Sequence, residues 1–408
     1  GGTKPSGDIS LSFLKPVDKD GVLGTIGPYE VLEVIGRGGM GEVWIAEQRS
    51  LSRRVALKLL LPDQVTARGI DFFTREARAA GRLSHPGIVA VHGSGEDDGL
   101  YWICMELVED SCDLRQSLDS IREPQDLTAD YYPQVALFIA RAAEALHAAH
   151  AEGVIHRDLK PSNILLSRAG GVQIVDFGLA HLEDMPTLTL SGEFAGTPYY
   201  VAPEQIENVR GGVDGRADVF SLGVTLYECA ALERPFAGRT PVEVLSSITT
   251  REPEPLGRVA PHLPASLELL CAKALEKSPA LRYGSMQEFS DDLGRLLQFR
   301  PLLAKPPSPP ARLVRWARRR PWRAASTALG ALLLKRGYLD KAQLEECVKL
   351  HNAALEKQGA KEGAKDGEAE KRKKRRSKRT KASTDDAAED ESEERPASAK
   401  RKKTKRSG

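Results

Sequence analysis

Apolar positions along this chain follow two periods in succession. From Tyr29 to Lys58 the runs YEVLEVI, EVWIAEQ and RRVALKLL alternate and are rich in β-branched and aromatic residues, which predicts strands. Residues 70–83 carry apolar side chains at helical spacing. HPGIVAVHGSGEDDGLYWICMELV then predicts two strands around a turn at Glu96-Asp97-Asp98-Gly99. After Asp110 the period becomes helical, with helices expected over 133–151, 216–232, 241–250, 266–276 and 285–298. A small β-rich part (about 29–110) followed by a larger α-helical part (about 111–300) is an α+β, bilobal arrangement with a cleft between the lobes.

The flanks have a different composition. Residues 1–28 are rich in Gly, Pro and Asp and are expected as a flexible leader. They lack a basic stretch followed by an apolar run, so no secretory leader is expected there. Residues 301–323 are Pro-rich and then basic, a linker carrying Trp316 and Trp322. An apolar run at 324–334 is shorter than the roughly 20 residues a spanning helix needs, and Lys335-Arg336 ends it. An amphipathic helix is expected within 338–356, capped by Asp340. Residues 357–408 are low-complexity blocks of basic and acidic residues, expected to be disordered.

Overall charge says little by itself: 59 Lys and Arg against 57 Asp and Glu leave +2. That balance hides the segregated blocks of the tail. Five scattered cysteines with no CxxC pair argue against a disulfide framework or a zinc site and for a reducing compartment.

Candidate chemistry gathers in the two-lobed part. Gly36-Arg37-Gly38-Gly39-Met40-Gly41-Glu42-Val43 lies between two strand-like runs, and glycines let backbone approach phosphates closely. Glu42 to Ile45 continue as strand rather than opening a helix, which disfavours dinucleotide binding. Lys58 closes an apolar strand, where it either meets phosphates or is solvated. Glu76, 18 residues later on the expected helix, either pairs with Lys58 or faces water. His156-Arg157-Asp158-Leu159-Lys160-Pro161-Ser162-Asn163 is followed thirteen residues on by Asp176-Phe177-Gly178. Asp158 suits a group that accepts a hydroxyl proton, and Lys160 one that neutralises a phosphoryl group. Asn163 and Asp176 offer the oxygen ligands that Mg²⁺ prefers.

With these residues in order, the chain resembles a eukaryotic-type Ser/Thr protein kinase, and most of all the bacterial members of that family. The resemblance runs from about Tyr29 to Arg300 and includes His85-Pro86-Gly87-Ile88-Val89, Ala202-Pro203-Glu204, Asp218 and Arg282. It implies the bilobal protein kinase fold, ATP with Mg²⁺ (Mn²⁺ as an alternative), and protein substrates. It also implies that Glu204 pairs with Arg282 and that Asp218 braces the catalytic-loop backbone. Met105 would line the adenine pocket, Glu106 and Val108 would offer backbone groups, and Val43, Ala56 and Leu165 would sandwich the base. Ile35, Gly36, Gly38, Gly39 and Gly41 would complete the nucleotide site.

Lys160, two positions after Asp158, and Thr197, which would sit beside Asp158, point within the resemblance to Ser/Thr hydroxyls as acceptors. Arg157 would meet a phosphate on the activation loop, with Thr189 or Ser191 (and Thr187) as sites of autophosphorylation and self-association as the route. A cytoplasmic location is expected. The alternative is membrane association through 312–334, since 312–323 is either a membrane-facing basic stretch or a solvated linker. The basic tail either contacts a polyanion or is solvated.

Overall fold

A computed structural model of the chain describes residues 13–38, 41–60, 65–121, 130–168, 170–177, 198–207 and 212–305. The first part is a six-stranded antiparallel sheet built from β1 (Gly24–Ile26), β2 (Tyr29–Gly38), β3 (Gly41–Gln48), β4 (Arg53–Leu59), β5 (Val91–Asp97) and β6 (Leu100–Glu106). The strand order is β1-β2-β3-β4-β6-β5. Its two faces bury separate clusters, because side chains alternate along each strand. Val55, Leu57 and Leu59 of β4 join Val31, Trp44, Ala46 and Cys104 on one face. Ala56 and Leu60 join Ile103 and Met105 on the other, beneath the helix α1 (Ala67–Ala80). That helix starts three residues before the expected position because Thr66 caps it, accepting a hydrogen bond from the Gly69 amide at 3.0 Å.

The stretch expected as a flexible leader is, from residue 13 on, part of this lobe. β1 pairs with β2 in the register Gly24↔Val31 to Ile26↔Tyr29. Leu14 is buried in the first cluster with Ile26, and Phe13 packs against it. Gly/Pro/Asp-rich composition signalled disorder, but three apolar side chains suffice to fasten the segment to a hydrophobic face. The sheet is curled enough for its edges to meet: Lys15 Nζ reaches both carboxylate oxygens of Asp97, at the end of β5, at 2.9 and 3.0 Å. Asp97 Oδ2 also accepts the Gly27 amide at 2.7 Å.

The second lobe is helical. After β7 (Ser111–Asp113) come α2 (Leu114–Ser120), which the pattern had not suggested, and α3 (Tyr131–Ala151). The strands β8 (Ile164–Ser167) and β9 (Val172–Ile174) then form a three-stranded sheet with β7. α4 (Pro203–Ile206), α5 (Arg216–Ala231), α6 (Pro241–Thr250), α7 (Leu256–Val259), α8 (Ala265–Ala274) and α9 (Met286–Leu297) follow. α5 is buried on nearly all sides, as befits a central helix. α3 packs on both α5 and α9, and most of its buried residues are small, among them Ala136, Ala140, Ala143 and Ala149.

The described structure continues past α9 to Lys305. Asp292 of α9, fully buried, accepts the amides of Leu303 at 2.7 Å and Ala304 at 2.8 Å. The start of the expected linker is therefore strapped to the domain. Among the described cysteines, Cys104, Cys229 and Cys271 are buried and Cys112 is exposed. No helix of the described residues is long and apolar enough to cross a membrane. The basic stretch 312–323, the apolar run, the helix expected within 338–356 and the charged tail lie outside the described residues.

Candidate active site

Lys58 sits on β4 opposite Val43 on one side and Ile103 on the other. Its Nζ donates to Glu76 Oε1 at 2.6 Å and to Asp176 Oδ1 at 3.0 Å. The pairing open in the sequence is thus made. Both Lys58 and Glu76 are buried. Burial disfavours the ammonium, but the facing charges of Asp176 and Glu76 outweigh it and hold Lys58 protonated above its ordinary range. Burial also pushes the Glu76 carboxyl up. Burial opposes ionisation of Asp176 too, but there the charge and hydrogen bond of Lys58 outweigh it and hold the carboxyl below its ordinary range.

The loop from His156 to Asn163 is fixed from below. Asp218, near the start of α5, accepts the His156 amide at 2.9 Å and the Arg157 amide at 2.8 Å. Asp218 Oδ2 also lies 2.7 Å from His150 Nε2 at the end of α3. Arg157 and Asp176 both take left-handed backbone conformations, with φ of 65° and 55°. Such strain persists only where surrounding contacts over-determine it. For Asp176 the neighbours supply this: Val175 donates its amide to Asn163 O at 3.1 Å, and the buried Phe177 ring lies 4.9 Å from the His156 ring.

Within the loop, Lys160 Nζ donates to Asp158 Oδ2 at 2.7 Å. Asn163 Nδ2 donates to the Asp158 carbonyl at 2.9 Å, which turns the amide so that Oδ1 is left to act as a ligand. A carboxylate and an amide oxygen are hard donors that fit Mg²⁺, which takes few protein ligands and keeps the rest as water or phosphate. Among the described residues no cluster of three or more His, Cys, Asp or Glu could hold a metal by itself.

Above this loop the structure brings Val43, Ala56, Met105, Val108 and Leu165 into one apolar cluster with Leu107 and Val175. That surface suits a flat aromatic ring. The Glu106 amide donates to Ala90 O at 2.8 Å, and Val108 O accepts from Ser111 Oγ at 2.7 Å. The glycine hairpin pairs Gly36 with Val43 and Gly38 with Gly41. A Cβ on Gly41 would stand 2.0 Å from Leu59 O, so only glycine fits there; at Gly36 it would meet nothing within 4 Å. The backbone is therefore open on that side at Gly36. Ile35 lies next to a bulge in β2, is 48% exposed, and stays outside the apolar cluster. Gly39, Thr187, Thr189, Ser191 and Thr197 lie outside the described residues.

Residues 29–293 match the sequence profile of the protein kinase domain. The chain belongs to the protein kinase family. It is 37% identical over 285 residues to a probable serine/threonine-protein kinase of Streptomyces coelicolor, a match covering 68% of this chain and 41% of that relative. It is 37% identical to the serine/threonine-protein kinase PknB of Mycobacterium leprae, covering 66% and 43%. With the serine/threonine-protein kinase PrkC of Bacillus subtilis it shares 34% identity over 65% and 40%. The chain thus spans less than half the length of these relatives. Among solved structures, the PknI kinase domain of Mycobacterium tuberculosis is 31% identical with a TM-score of 0.54, covering 69% of this chain and all of that one.

Two features of this kinase domain went beyond sequence reading. One is His150, whose contact with Asp218 bridges α3 and α5 six residues before the catalytic loop. The other is Glu228, a buried carboxylate on α5 that gathers three partners from separate segments. It accepts from Arg115 Nη1 at 2.6 Å, from Arg234 Nε at 3.1 Å and, through Oε2, from Tyr200 Oη at 2.5 Å. Arg234 in turn lies over the Tyr199 ring, 4.2 Å from its centroid. The pair Glu204–Arg282 is bidentate and buried, at 2.6 and 2.7 Å.

Proposed function

We propose that this chain is an ATP-dependent protein kinase that transfers the γ-phosphate to serine or threonine hydroxyls. The observation that carries the reading is Lys58, held charged between Glu76 and Asp176 and aimed from β4 toward the loop that bears Asp158 and Asn163. An ammonium fixed by two carboxylates is a preorganised partner for phosphate oxygens, and it needs no reorganisation when charge develops on them. ATP supplies the phosphoryl group, and Mg²⁺ held by Asn163 and Asp176 would neutralise its oxygens. Asp158 orients the acceptor hydroxyl and takes its proton. Lys160, already 2.7 Å from Asp158, lends positive charge to the same place. The cluster of Val43, Ala56, Met105 and Leu165 holds the adenine, with backbone groups of Glu106 and Val108 as its hydrogen-bond partners. The names of the relatives support serine and threonine as the acceptor class.

Activation by phosphorylation of Thr189 or Ser191, reached by self-association, belongs to the same reading. Arg157 supports it: its Nε is buried without a hydrogen-bond partner among the described residues, as a side chain awaiting an anion would be. The test is ATP-phosphate transfer by the full chain to itself and to a basic protein, with phosphosites mapped by mass spectrometry. Transfer that disappears in Asp158→Asn, with nucleotide still bound, is the expected result. Equal transfer by both proteins removes the kinase assignment, and alanine at both Thr189 and Ser191 without effect removes the activation step.

A further inference from the structure

The first apolar cluster of the small lobe is completed by residues outside the catalytic machinery, Leu14 and Ile26 within it and Phe13 against it. Trp44 lies at its centre, fully buried, opposite Val34 on β2 and Leu57 on β4. Leu14, 6% exposed, packs in the same cluster, and the Phe13 ring stands edge-on to Trp44 at 6.3 Å. A Cβ on Gly24 would stand 2.7 Å from Leu14 Cβ, so β1 closes tightly over the leucine. The backbone is fixed as well: Lys15 and Thr25 exchange two hydrogen bonds at 3.1 and 2.8 Å, and Leu23 donates to Val31 O at 2.8 Å. Lys15 and Gly27 then reach Asp97, and Lys15 also reaches Asp98 at 2.9 Å, which joins the β1 edge of the sheet to the far end of β5.

Trp44 is the neighbour of Val43, whose side chain faces the opposite side of β3, toward Ala56 and the nucleotide surface. Val43 pairs with Gly36, the first glycine of the hairpin. Any tilt of Trp44 is therefore a tilt of the glycine hairpin. Ridges of a packed core transmit displacement because interiors are close-packed.

We propose that residues Phe13 to Gly27 are a positioning element for nucleotide binding: they plug the curled sheet, tie its two edges together, and thereby set the pitch of the β2–β3 glycine hairpin over the phosphates. Leu14 is the plug and Asp97 the tie. This rests on the kinase reading for the identity of the ligand. Neither residue touches nucleotide, so both act through Trp44 and the strands. Preorganisation of the hairpin lowers the cost of ordering it on binding, and its loss appears in affinity.

The experiment uses the full chain and Mg·ADP, whose binding is read by calorimetry and needs no phosphate transfer. Leu14→Ala, Asp97→Ala and the volume-conserving Leu14→Met are compared with the parent, with KM for ATP, kcat at saturating ATP and the melting midpoint measured alongside. The expected result is ADP binding weakened about threefold to tenfold in both alanine variants, from a less preorganised site. KM should rise in proportion, kcat should stay near that of the parent, and Leu14→Met should restore binding. A folded Leu14→Ala protein with unchanged ADP affinity overturns the proposal, as does a fall in kcat alone. Should Leu14→Ala fail to fold, Asp97→Ala decides by the same two criteria. A parent chain that binds ADP but transfers nothing counts against the kinase reading and leaves the binding comparison in force.

Discussion

Asp218 holds Arg157 in a left-handed conformation: its Oδ1 accepts the Arg157 amide at 2.8 Å, and Arg157 has φ of 65°. The other oxygen serves His156 and His150. An amide at this position would set an NH₂ against one of these donors. Asp218→Asn is expected to lower kcat about a hundredfold, the effect of a misplacement near 1 Å, with KM for ATP little changed. Burial opposes ionisation of Asp218, but the hydrogen bond and charge of His150 hold its carboxyl below 3.8. Its contribution to stability is therefore complete above 3.8 and lost as pH falls through the lower folded value. Acid unfolding curves of parent and variant, compared below pH 4, read this directly.

Lys58→Met leaves Glu76 buried without its cation. Removing one partner of such a pair is expected to cost about 3 kcal/mol in urea unfolding. Glu76→Gln leaves Lys58 the nearby Asp176 at 3.0 Å, so the loss is smaller. ATP-phosphate transfer to a basic protein is expected to be abolished in the first variant and reduced in the second, where the ammonium is present but no longer fixed from the α1 side.

Arg282 uses every donor it has. Besides both oxygens of Glu204, it donates to the carbonyls of Glu276 at 2.7 Å, Arg216 at 2.8 Å and Lys277 at 3.1 Å. Lysine at this position cannot reproduce the fork. Arg282→Lys is expected to lose about 2–3 kcal/mol of stability, read by denaturant titration, from buried acceptors left unsatisfied.

Lys277 gives a pH signature of the same sign as Asp218, at higher pH. Its Nζ donates to Ile248 O at 2.5 Å and lies 3.8 Å from the centre of the Phe236 ring. Burial, with Arg282 adding to it against Glu252, brings its pKa down to about 7. The unfolded chain keeps that proton up to about 10.5. Between these values the unfolded state binds more protons, so this group makes stability rise with pH from 7 to 10.5. Lys277→Met removes that slope, and its stability relative to the parent is greatest at or below pH 7. Melting midpoints measured from pH 6 to 10 test it.

The sequence carried the parts of this architecture that repeat with a period or sit in a fixed local order. The helices at 133–151, 216–232 and 241–250 emerged within two residues, since each buries a wide apolar face. The Lys58–Glu76 partnership was visible as one of two outcomes, because Lys58 closes an apolar strand and Glu76 follows 18 residues later on the expected helix. What stayed hidden depends on contacts between segments remote in sequence. Leu14 looks like one leucine in a polar leader, and only the curl of the sheet gives it a hole to fill. Glu228 lies in a run of apolar helix, and nothing local announces partners at Arg115, Tyr200 and Arg234. The short helix α2 is capped by Asp113, which accepts the Gln116 amide at 2.8 Å, and buries only Leu114 and Leu118, too few for a periodic stripe to stand out.

The strap at Asp292 has a mechanical meaning. Tension applied to the chain beyond Lys305 is borne first by the two hydrogen bonds that the Leu303 and Ala304 amides donate to one buried carboxylate. From there the load enters α9, which lies along α3, and Ser290 of α9 is itself tied to Ala140 O of α3 at 3.3 Å. α3 ends at the histidine that faces Asp218. The strap thus joins the C-terminal side of the domain, through α9 and α3, to the floor of the loop that bears Asp158.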